Sequence, residues 1–284
     1  MGAVLAFLCP SVQRLFRRIF ERHPAAIWAA PFLLTGVFSV AAVWARAATL
    51  ALILAVLAYT AAPVLSSWIA GAGPATRPLF WDFLTILLIW LPMEFAAGAR
   101  LVPRAAQGFL HSVAYGVAIL LGLVLFLCFR SFPGLKYNLP RSWRDAWLPL
   151  AGFALSAPVL IAVGVAIGFI PPPHWPTQPS RTMLPAAGII FAGTALPEEI
   201  LFRSLIQNLL VQRFGSTWRT LLAASLIFGA AHLDNGPQPL PNWRYFILAS
   251  IAGVAYGTVF QRASTVLSSA ALHMLVDWTK HYFF

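Results

Sequence analysis

Long apolar runs separated by short polar loops make up most of the chain. Several runs reach ~20 residues, the length that a helix needs to cross a bilayer. Backbone groups in lipid must be hydrogen-bonded within their own segment, and the alternation typical of a membrane barrel is missing, so the runs are predicted to be helices. The pattern therefore predicts an all-α fold, a multi-pass transmembrane helical bundle of about 8–9 helices. The predicted segments are approximately 25–45, 47–70, 79–98, 109–129, 147–170, 183–211, 218–232, 243–261 and 264–281.

The chain is predicted to have three parts. Residues 1–24 are basic and contain an amphipathic stretch at 11–23, which suits a helix at the membrane interface but also a basic tail that only sets the topology. Residues 25–182 hold the N-terminal transmembrane helices and end in a proline-rich loop at 171–182. Residues 183–284 hold the remaining helices and the candidate chemistry. The apolar face of the amphipathic stretch consists of Val12, Leu15, Phe16, Ile19 and Phe20.

The charge of the chain favours a membrane environment over nucleic acid. Lys and Arg number 19 against 8 Asp and Glu, a formal net charge of +11, yet only 10% of the residues are charged, against ~25% in an ordinary soluble domain. The arginines lie mainly in short loops and form no basic stripe, so we expect no nucleic-acid partner. We expect contacts with membrane lipids. We also expect the N-terminus to lie in the cytoplasm, because the loops on the same face of the membrane as the N-terminus hold more Lys and Arg than those on the opposite face.

Five of the eight acidic residues fall within predicted transmembrane segments. Ionisable groups in a membrane are costly, so they mark either a paired structural charge or a functional site. Asp82 lies near a helix start, where a carboxylate caps the helix, and Glu94 follows a proline that can kink it. For these two we expect structural roles, such as pairing with an arginine near a helix end. The other three are Glu198, Glu199 and Asp277.

The adjacent glutamates begin a motif that ends in an arginine. Pro197 precedes them and is expected to break or kink the helix or to start a new one, which would place both glutamates in a first helical turn, where the helix dipole favours negative charge. Glu199 and Arg203 are four residues apart and can form an ion pair, whereas Glu198 points ~100° away around the helix. Taken alone, the motif fits a structural Glu–Arg clamp as well as a catalytic site.

Two later helices add histidines. Phe228 and His232 are four residues apart in a segment rich in Gly and Ala, which allow helices to pack closely. His273 and Asp277 are also four residues apart, so their side chains lie on one helix face. A lone histidine near a helix end is more often a hydrogen-bonded packing group, so neither pair identifies a function alone.

Together the three motifs resemble the type II CAAX prenyl endopeptidases, a family that includes the bacterial CPBP intramembrane proteases. The family pattern is Glu-Glu-x-x-x-Arg, then Phe-x-x-x-His, then His-x-x-x-Asn or Asp, on successive helices. The resemblance covers about residues 183–284. It implies a helical bundle with an intramembrane polar cavity, a bacterial plasma-membrane location, and hydrolysis of a peptide bond in a membrane-anchored or lipidated protein or peptide. The matching residues are Glu198, Glu199, Arg203, Phe228, His232, His273 and Asp277.

The resemblance and the chemistry of hydrolysis imply a role for each residue. Peptide hydrolysis needs an activated water, a proton donor and a partner for the developing oxyanion. We expect Glu198 to be the general base, His232 to share in holding the water, and His273 with Asp277 to stabilise the oxyanion. An ionised Asp only accepts hydrogen bonds, so Asp277 would have to be protonated, to orient His273 or to bind a metal. The expected supporting residues are Glu199, Arg203 and Phe228.

We expect no cofactor, although the family includes proteins described as metalloproteases as well as glutamate-type proteases. A zinc ion, if bound, would be held by Glu198, His232 and His273. The alternative function is a non-catalytic membrane scaffold or a proton-linked transporter that uses the same polar cluster. No internal repeat of the kind that many transporters contain is visible in the sequence.

Overall fold

The structure is a computed structural model that describes residues 2–176, 180–236 and 239–284. Within these ranges the chain forms eleven helices, numbered α1 to α11 below, and no strand. The predicted all-α fold is therefore confirmed. Five of the described helical stretches are long and apolar enough to cross a membrane, namely Pro24–Trp44, Leu50–Ala70, Arg104–Phe129, Arg144–Ala166 and Trp243–Arg262. The protein is an integral membrane protein by this pattern.

Internal contacts divide the chain into two compact units, residues 1–134 and 135–284. The second unit begins before the proline-rich loop because the helix at 144–166 packs against the last two helices of the chain. The three-part division at residues 24 and 182 stays a prediction. Of the predicted loop at 171–182, residues 171–176 are irregular and 177–179 lie outside the described residues.

The first unit contains α1 to α6. The sequence hardly separated α3 from α4, but Arg46 between them takes a left-handed backbone conformation with φ of 54°, which ends the helical path. The two helices pack together, and the hydroxyls of Thr35 and Thr60 lie 3.2 Å apart between them. The helices are α1 Gly2–Ala6, α2 Pro10–Arg22, α3 Ala29–Trp44 after a 3₁₀ turn at Pro24–Trp28, α4 Leu50–Ala70, α5 Phe80–Glu94 and α6 Arg104–Leu123 with a π-helical end at Val124–Phe129.

The amphipathic helix α2 is confirmed, but its apolar face is divided between two environments. Phe20 is buried and meets the ring of Phe129 edge-on, with 5.8 Å between ring centroids. Arg17 Nε donates to the carbonyl oxygen of Leu127 across 2.7 Å and so caps the end of α6. Leu15, in contrast, is 58% exposed. Part of the predicted membrane-facing surface therefore packs within the first unit.

Asp82 has the structural role that the sequence predicted. Its carboxylate binds Arg130 through two hydrogen bonds, Nε to Oδ1 at 2.7 Å and Nη2 to Oδ2 at 3.0 Å. It also accepts the backbone N–H of Leu79 at 2.8 Å, which caps α5. Glu94 accepts the indole N–H of Trp90 at 2.8 Å. Both acids of the first unit that lie in predicted transmembrane segments are thus held by local partners.

The second unit contains α7 to α11. α9 packs along α10, while α11 packs against α7, α10 and the middle of α8. Two charged side chains hold the junction between α10 and α11. The Lys136 ammonium, from the segment before α7, donates to three carbonyls at the end of α10. The Asp145 carboxylate, in the first turn of α7, accepts the N–H and hydroxyl of Ser264. The helices are α7 Arg144–Ala166, α8 Ser180–Phe214, α9 Trp218–Ala230, α10 Trp243–Arg262 and α11 Val266–Phe283.

The prediction that Pro197 would break the helix or start a new one is wrong, whereas the alternative of a kink stays a prediction. α8 is helical from Ser180 to Phe214, and the residues on both sides of Pro197 keep right-handed helical dihedral angles. Proline has no N–H to donate, and its ring crowds the preceding turn. The helix accommodates it because the neighbouring turns depart from α geometry.

Two π-helical stretches flank the glutamates within α8. They are Phe191–Ala195 before Pro197 and Ile200–Gln207 after the glutamates. A π turn carries an additional residue per turn, which relieves crowding and rotates the side chains that follow. Glu198 and Glu199 therefore lie in the middle of a helix, and no helix N-terminus stabilises their charge, contrary to the expectation from the sequence.

α9 and α10 approach closely at a glycine. A methyl group placed on Gly229 would lie 2.8 Å from the carbonyl oxygen of Phe246 and would overlap the hydroxyl of Ser250. The backbone carbonyl cannot move away as the end of a flexible side chain could. This contact therefore requires glycine, and it sets the position of the end of α9, where His232 follows.

We expect Gly229→Ala to lower the thermal stability of the purified protein. Overpacking of a tight contact costs ~1–3 kcal/mol. The matched control is Gly116→Ala in α6, where no atom lies within 4 Å of the added methyl group. There we expect no loss, or a gain of up to ~1 kcal/mol, because Ala favours helix more than Gly. Equal unfolding temperatures of the two variants in detergent would contradict the role assigned to Gly229.

Candidate active site

Three of the predicted side chains form a buried series of contacts between α8 and α11. Arg203 Nε donates to Oε2 of Glu199 across 3.1 Å, so the predicted ion pair is present. The other carboxylate oxygen, Oε1, lies 3.2 Å from Nδ1 of His273. The Glu199 and Arg203 side chains are both 0% exposed. Glu199 therefore joins the two helices and is shielded from solvent.

Three carboxylates surround His273. Besides the contact of Nδ1 with Glu199, Nε2 lies 3.4 Å from Oδ2 of Asp277 and 3.9 Å from Oε2 of Glu198. A carboxylate at each ring nitrogen fits an imidazolium, because both nitrogens then donate. The side chains of Glu198 and Asp277 are 22% and 31% exposed. The two adjacent glutamates thus occupy different environments.

Aromatic rings enclose these ionic contacts. The Tyr256 ring stacks on His273 with 4.6 Å between centroids, and Phe228 meets His273 edge-on at 5.8 Å. The Arg203 guanidinium carbon lies 4.8 Å from the centre of the Phe228 ring and 5.8 Å from that of Tyr256. Such cation–π contacts stabilise a cation away from water. Phe228, predicted as a supporting residue, therefore touches both His273 and Arg203.

His232 lies in the turn after α9. Its Nδ1 is 2.8 Å from the carbonyl oxygen of Phe228, and because a carbonyl only accepts, Nδ1 carries the hydrogen. In the neutral ring the lone pair is then on Nε2, which can accept a hydrogen bond from a water molecule. The ring contacts those of Phe228 and Tyr245, with centroids 4.8 and 4.5 Å away.

His232, His273 and Asp277 line one cavity of about 90 Å³. Its remaining lining is mostly apolar and comes largely from α7 and α10, including Phe153, Ala157, Leu160, Leu248, Ala249 and Ala252. A second cavity shares Asp277, Tyr245 and Lys280 with the first and extends to α8. The structure thus brings all the predicted residues into one region of the second unit, next to an apolar space.

Three residues of this region were not predicted from the sequence. Tyr256 stacks on His273, Tyr245 packs on His232, and the Lys280 ammonium lies over the rings of Tyr245 and Phe169 at 4.7 and 4.8 Å. The spacing of Lys280, three residues after Asp277, was the available signal, since residues three apart share a helix face. The tyrosines lie on α10, which carries no motif of its own.

The described residues contain no group of three His, Cys, Asp or Glu side chains arranged to hold a metal ion. A histidine ligand must offer a lone pair to the metal. Both ring nitrogens of His273 face carboxylates, and in the doubly protonated form that suits this placement the ring offers none. The set considered for zinc from the sequence, Glu198, His232 and His273, does not fit a zinc site in this arrangement.

The arrangement combines the groups that hydrolysis of an amide requires. Glu198 is a carboxylate that is not fully buried, and it lies next to an N–H donor of His273. His232 offers an acceptor to the same cavity that His273 lines. A carboxylate can take a proton from water, and a charged N–H can stabilise an oxyanion where it forms.

Comparison with known proteins agrees with this chemistry. The family model described as Rce1-like, type II CAAX prenyl endopeptidase Rce1-like, matches residues 180–279. No curated protein and no solved structure gives a significant match. The matched range contains every candidate residue from Glu198 to Asp277, and it confirms the resemblance predicted from the motifs. The family is one of membrane proteases, which supports an intramembrane endopeptidase in general terms. Residues 180–279 are therefore similar to the Rce1-like type II CAAX prenyl endopeptidases, and they lie within an integral membrane protein.

Proposed function

We propose that the protein is an intramembrane endopeptidase that hydrolyses a peptide bond of a membrane-anchored or lipidated protein or peptide with water activated by Glu198. One observation carries the proposal. Glu199 is fully buried against Arg203 and His273, whereas Glu198 is partly exposed and lies 3.9 Å from the other nitrogen of the same histidine. Two carboxylates in different environments can take different roles, one structural and one as a base.

The proposed reaction begins with a water molecule hydrogen-bonded to Glu198 and to Nε2 of His232. Glu198 takes one proton from the water while the water oxygen attacks the scissile carbonyl carbon. The carbonyl oxygen becomes an oxyanion and accepts the Nε2–H of His273. The intermediate then collapses, the C–N bond breaks, and Glu198 returns the proton to the leaving amine. Asp277 orients His273 and stabilises its charge, which needs no protonated Asp.

We expect Glu198→Gln to abolish cleavage and to leave the folded yield close to that of the parent. The amide has the same shape but cannot take the proton, and loss of a general base costs ~10²–10⁴-fold in rate. Cleavage is measured by co-expression with single-span and lipid-anchored reporter proteins and then with purified protein in detergent. Undiminished cleavage by Glu198→Gln would contradict the assignment. Absence of cleavage by the parent across the reporters would favour the scaffold or transporter alternative.

Variants of the adjacent pair are the matched controls. Glu199→Gln and Arg203→Ala should lower both yield and activity, because breaking a buried ion pair leaves an uncompensated charge and costs ~3–5 kcal/mol. Thermal unfolding in detergent separates the two classes. Glu198→Gln should unfold near the parental temperature, whereas both control variants should unfold well below it.

We expect activity to survive dialysis against a strong chelator. The reason is the donor geometry, in which both nitrogens of His273 face carboxylates. Elemental analysis of the purified active protein provides the independent measurement. Stoichiometric zinc, with activity lost on its removal and restored on its return, would reverse this expectation and assign the ligand set Glu198, His232 and His273.

We propose that the N-terminus is cytoplasmic, because the loops on that side hold more Lys and Arg. If each of the nine segments predicted from the sequence crosses the membrane in turn, the loops after α7 and α9 are outside. In a variant without Cys9 and Cys128, cysteines at the exposed positions Trp175 and Asp234 should react with an impermeant thiol reagent in intact cells. Asp234 is preferred to Gly236, whose φ of 89° disfavours a side chain, and Gln178 lies outside the described residues.

The matched control is a cysteine at Ser216, between α8 and α9, which should react only after lysis. If the labelling pattern were opposite, with Ser216→Cys reactive in intact cells, the topology would be inverted.

A further inference from the structure

The ionic contacts around His273 contain more negative than positive charge. Three carboxylates take part, those of Glu198, Glu199 and Asp277. Two cations face them, the Arg203 guanidinium and the His273 ring in its charged form. Among these described contacts the carboxylates outnumber the cations by one, and charge in a site with little water is costly unless it is balanced.

Lys280 is the further cation of this region. Among the described residues that line the two cavities, it is the one that carries an ammonium or guanidinium group. It lies three residues after Asp277 on α11, which corresponds to ~4.5 Å along the helix axis, and both residues line both cavities. The Lys280 ammonium and the Asp277 carboxylate attract each other, and each favours the charged form of the other.

The Lys280 ammonium is held in place by aromatic rings. Its Nζ lies 4.8 Å from the centre of the Phe169 ring and 4.7 Å from that of Tyr245, one on each of two different segments. The Tyr245 ring also packs on His232. Tyr245, which packs on His232, therefore also holds the Lys280 ammonium next to the site. The ammonium lies against the rings and does not form a close ion pair with Asp277. The Asp277 carboxylate stays available to His273.

We propose that Lys280 is a positioning residue that balances the charge of Asp277 from a distance, so that the ionised Asp277 stabilises the charged His273 during the reaction. Without the Lys280 charge, the three carboxylates would outweigh the two cations. The excess negative charge would repel the oxyanion that forms in the transition state. This inference rests on the proposed function and identifies a residue that the three motifs do not include.

The test is a double-mutant cycle on kcat and KM. Lys280→Met keeps the apolar stem against the rings and removes the charge; we expect a fall in kcat of about tenfold or more, with KM changed less than about threefold. Lys280→Arg keeps the charge and should rescue kcat to within about threefold of the parent. Asp277→Asn should also lower kcat. The control is Arg262→Met, which removes an exposed charge at the end of α10 that lines neither cavity and should leave kcat unchanged.

The double variant Asp277→Asn with Lys280→Met decides the matter. If the two charges balance each other, the kcat of the double variant relative to the parent exceeds the product of the relative kcat values of the two single variants by about tenfold or more. The reason is that residues in one charge network couple strongly. Three results would overturn the inference: effects on kcat that simply multiply, an equal loss in Lys280→Arg and Lys280→Met, or a change confined to KM, which would indicate a substrate contact instead.

Failure of the proposed function gives a different result. If the parent cleaves no reporter, that function fails, and the charge balance is then judged by the same cycle on unfolding temperature. Coupling of the two substitutions in stability, together with rescue by Lys280→Arg, would retain the balance as a property of the cluster. Additive losses of stability would show that the charges of Asp277 and Lys280 do not balance each other, and the inference would fail too.

Discussion

A charge that leaves water for the interior of a helical bundle needs an opposite charge or a full set of hydrogen bonds, and this requirement organises the polar part of the protein. In the second unit it links α8 to α11 through Arg203, Glu199 and His273, whose contacts lie at 3.1 and 3.2 Å. The positions of Glu198 and Asp277 follow, because both face the histidine that this link fixes. The aromatic rings around the cluster exclude water and so make each contact stronger.

The backbone of α8 is what allows two adjacent glutamates to serve different purposes. Neighbouring residues on a helix point ~100° apart, so one carboxylate of the pair reaches the buried arginine and the other the partly exposed side of His273. The π-helical turns on both sides of Leu196–Glu199 accommodate Pro197 without ending the helix. π turns inside α-helices occur frequently at functional sites, since they redirect side chains at a small cost in regular hydrogen bonding.

The sequence predicted the helices and the side-chain pairs within them better than it predicted their surroundings. Apolar periodicity identified the helices, and i,i+4 spacing identified Glu199 with Arg203 and His273 with Asp277, because both are local properties of a helix. The continuity of α8 through Pro197 was missed because it depends on π turns that no local rule specifies. Tyr256 and Lys280 were missed because their roles arise from packing: one stacks on a ring of another helix, and the other lies between two aromatic rings.

The two buried ion clusters differ in a way that separates structure from chemistry. Asp82 receives two hydrogen bonds from Arg130 and one from the backbone, at 2.7 to 3.0 Å, so both of its carboxylate oxygens have fixed partners. Around His273, by contrast, two of the three carboxylates lie at 3.4 and 3.9 Å and remain partly exposed. A base must be able to release one partner and accept another during a reaction cycle. The Asp82 carboxylate therefore has its burial compensated by fixed partners, whereas the longer contacts of Glu198 suit the proposed exchange of a proton with water. Those of Asp277 let the ionised carboxylate follow the charge on His273 during the proposed reaction.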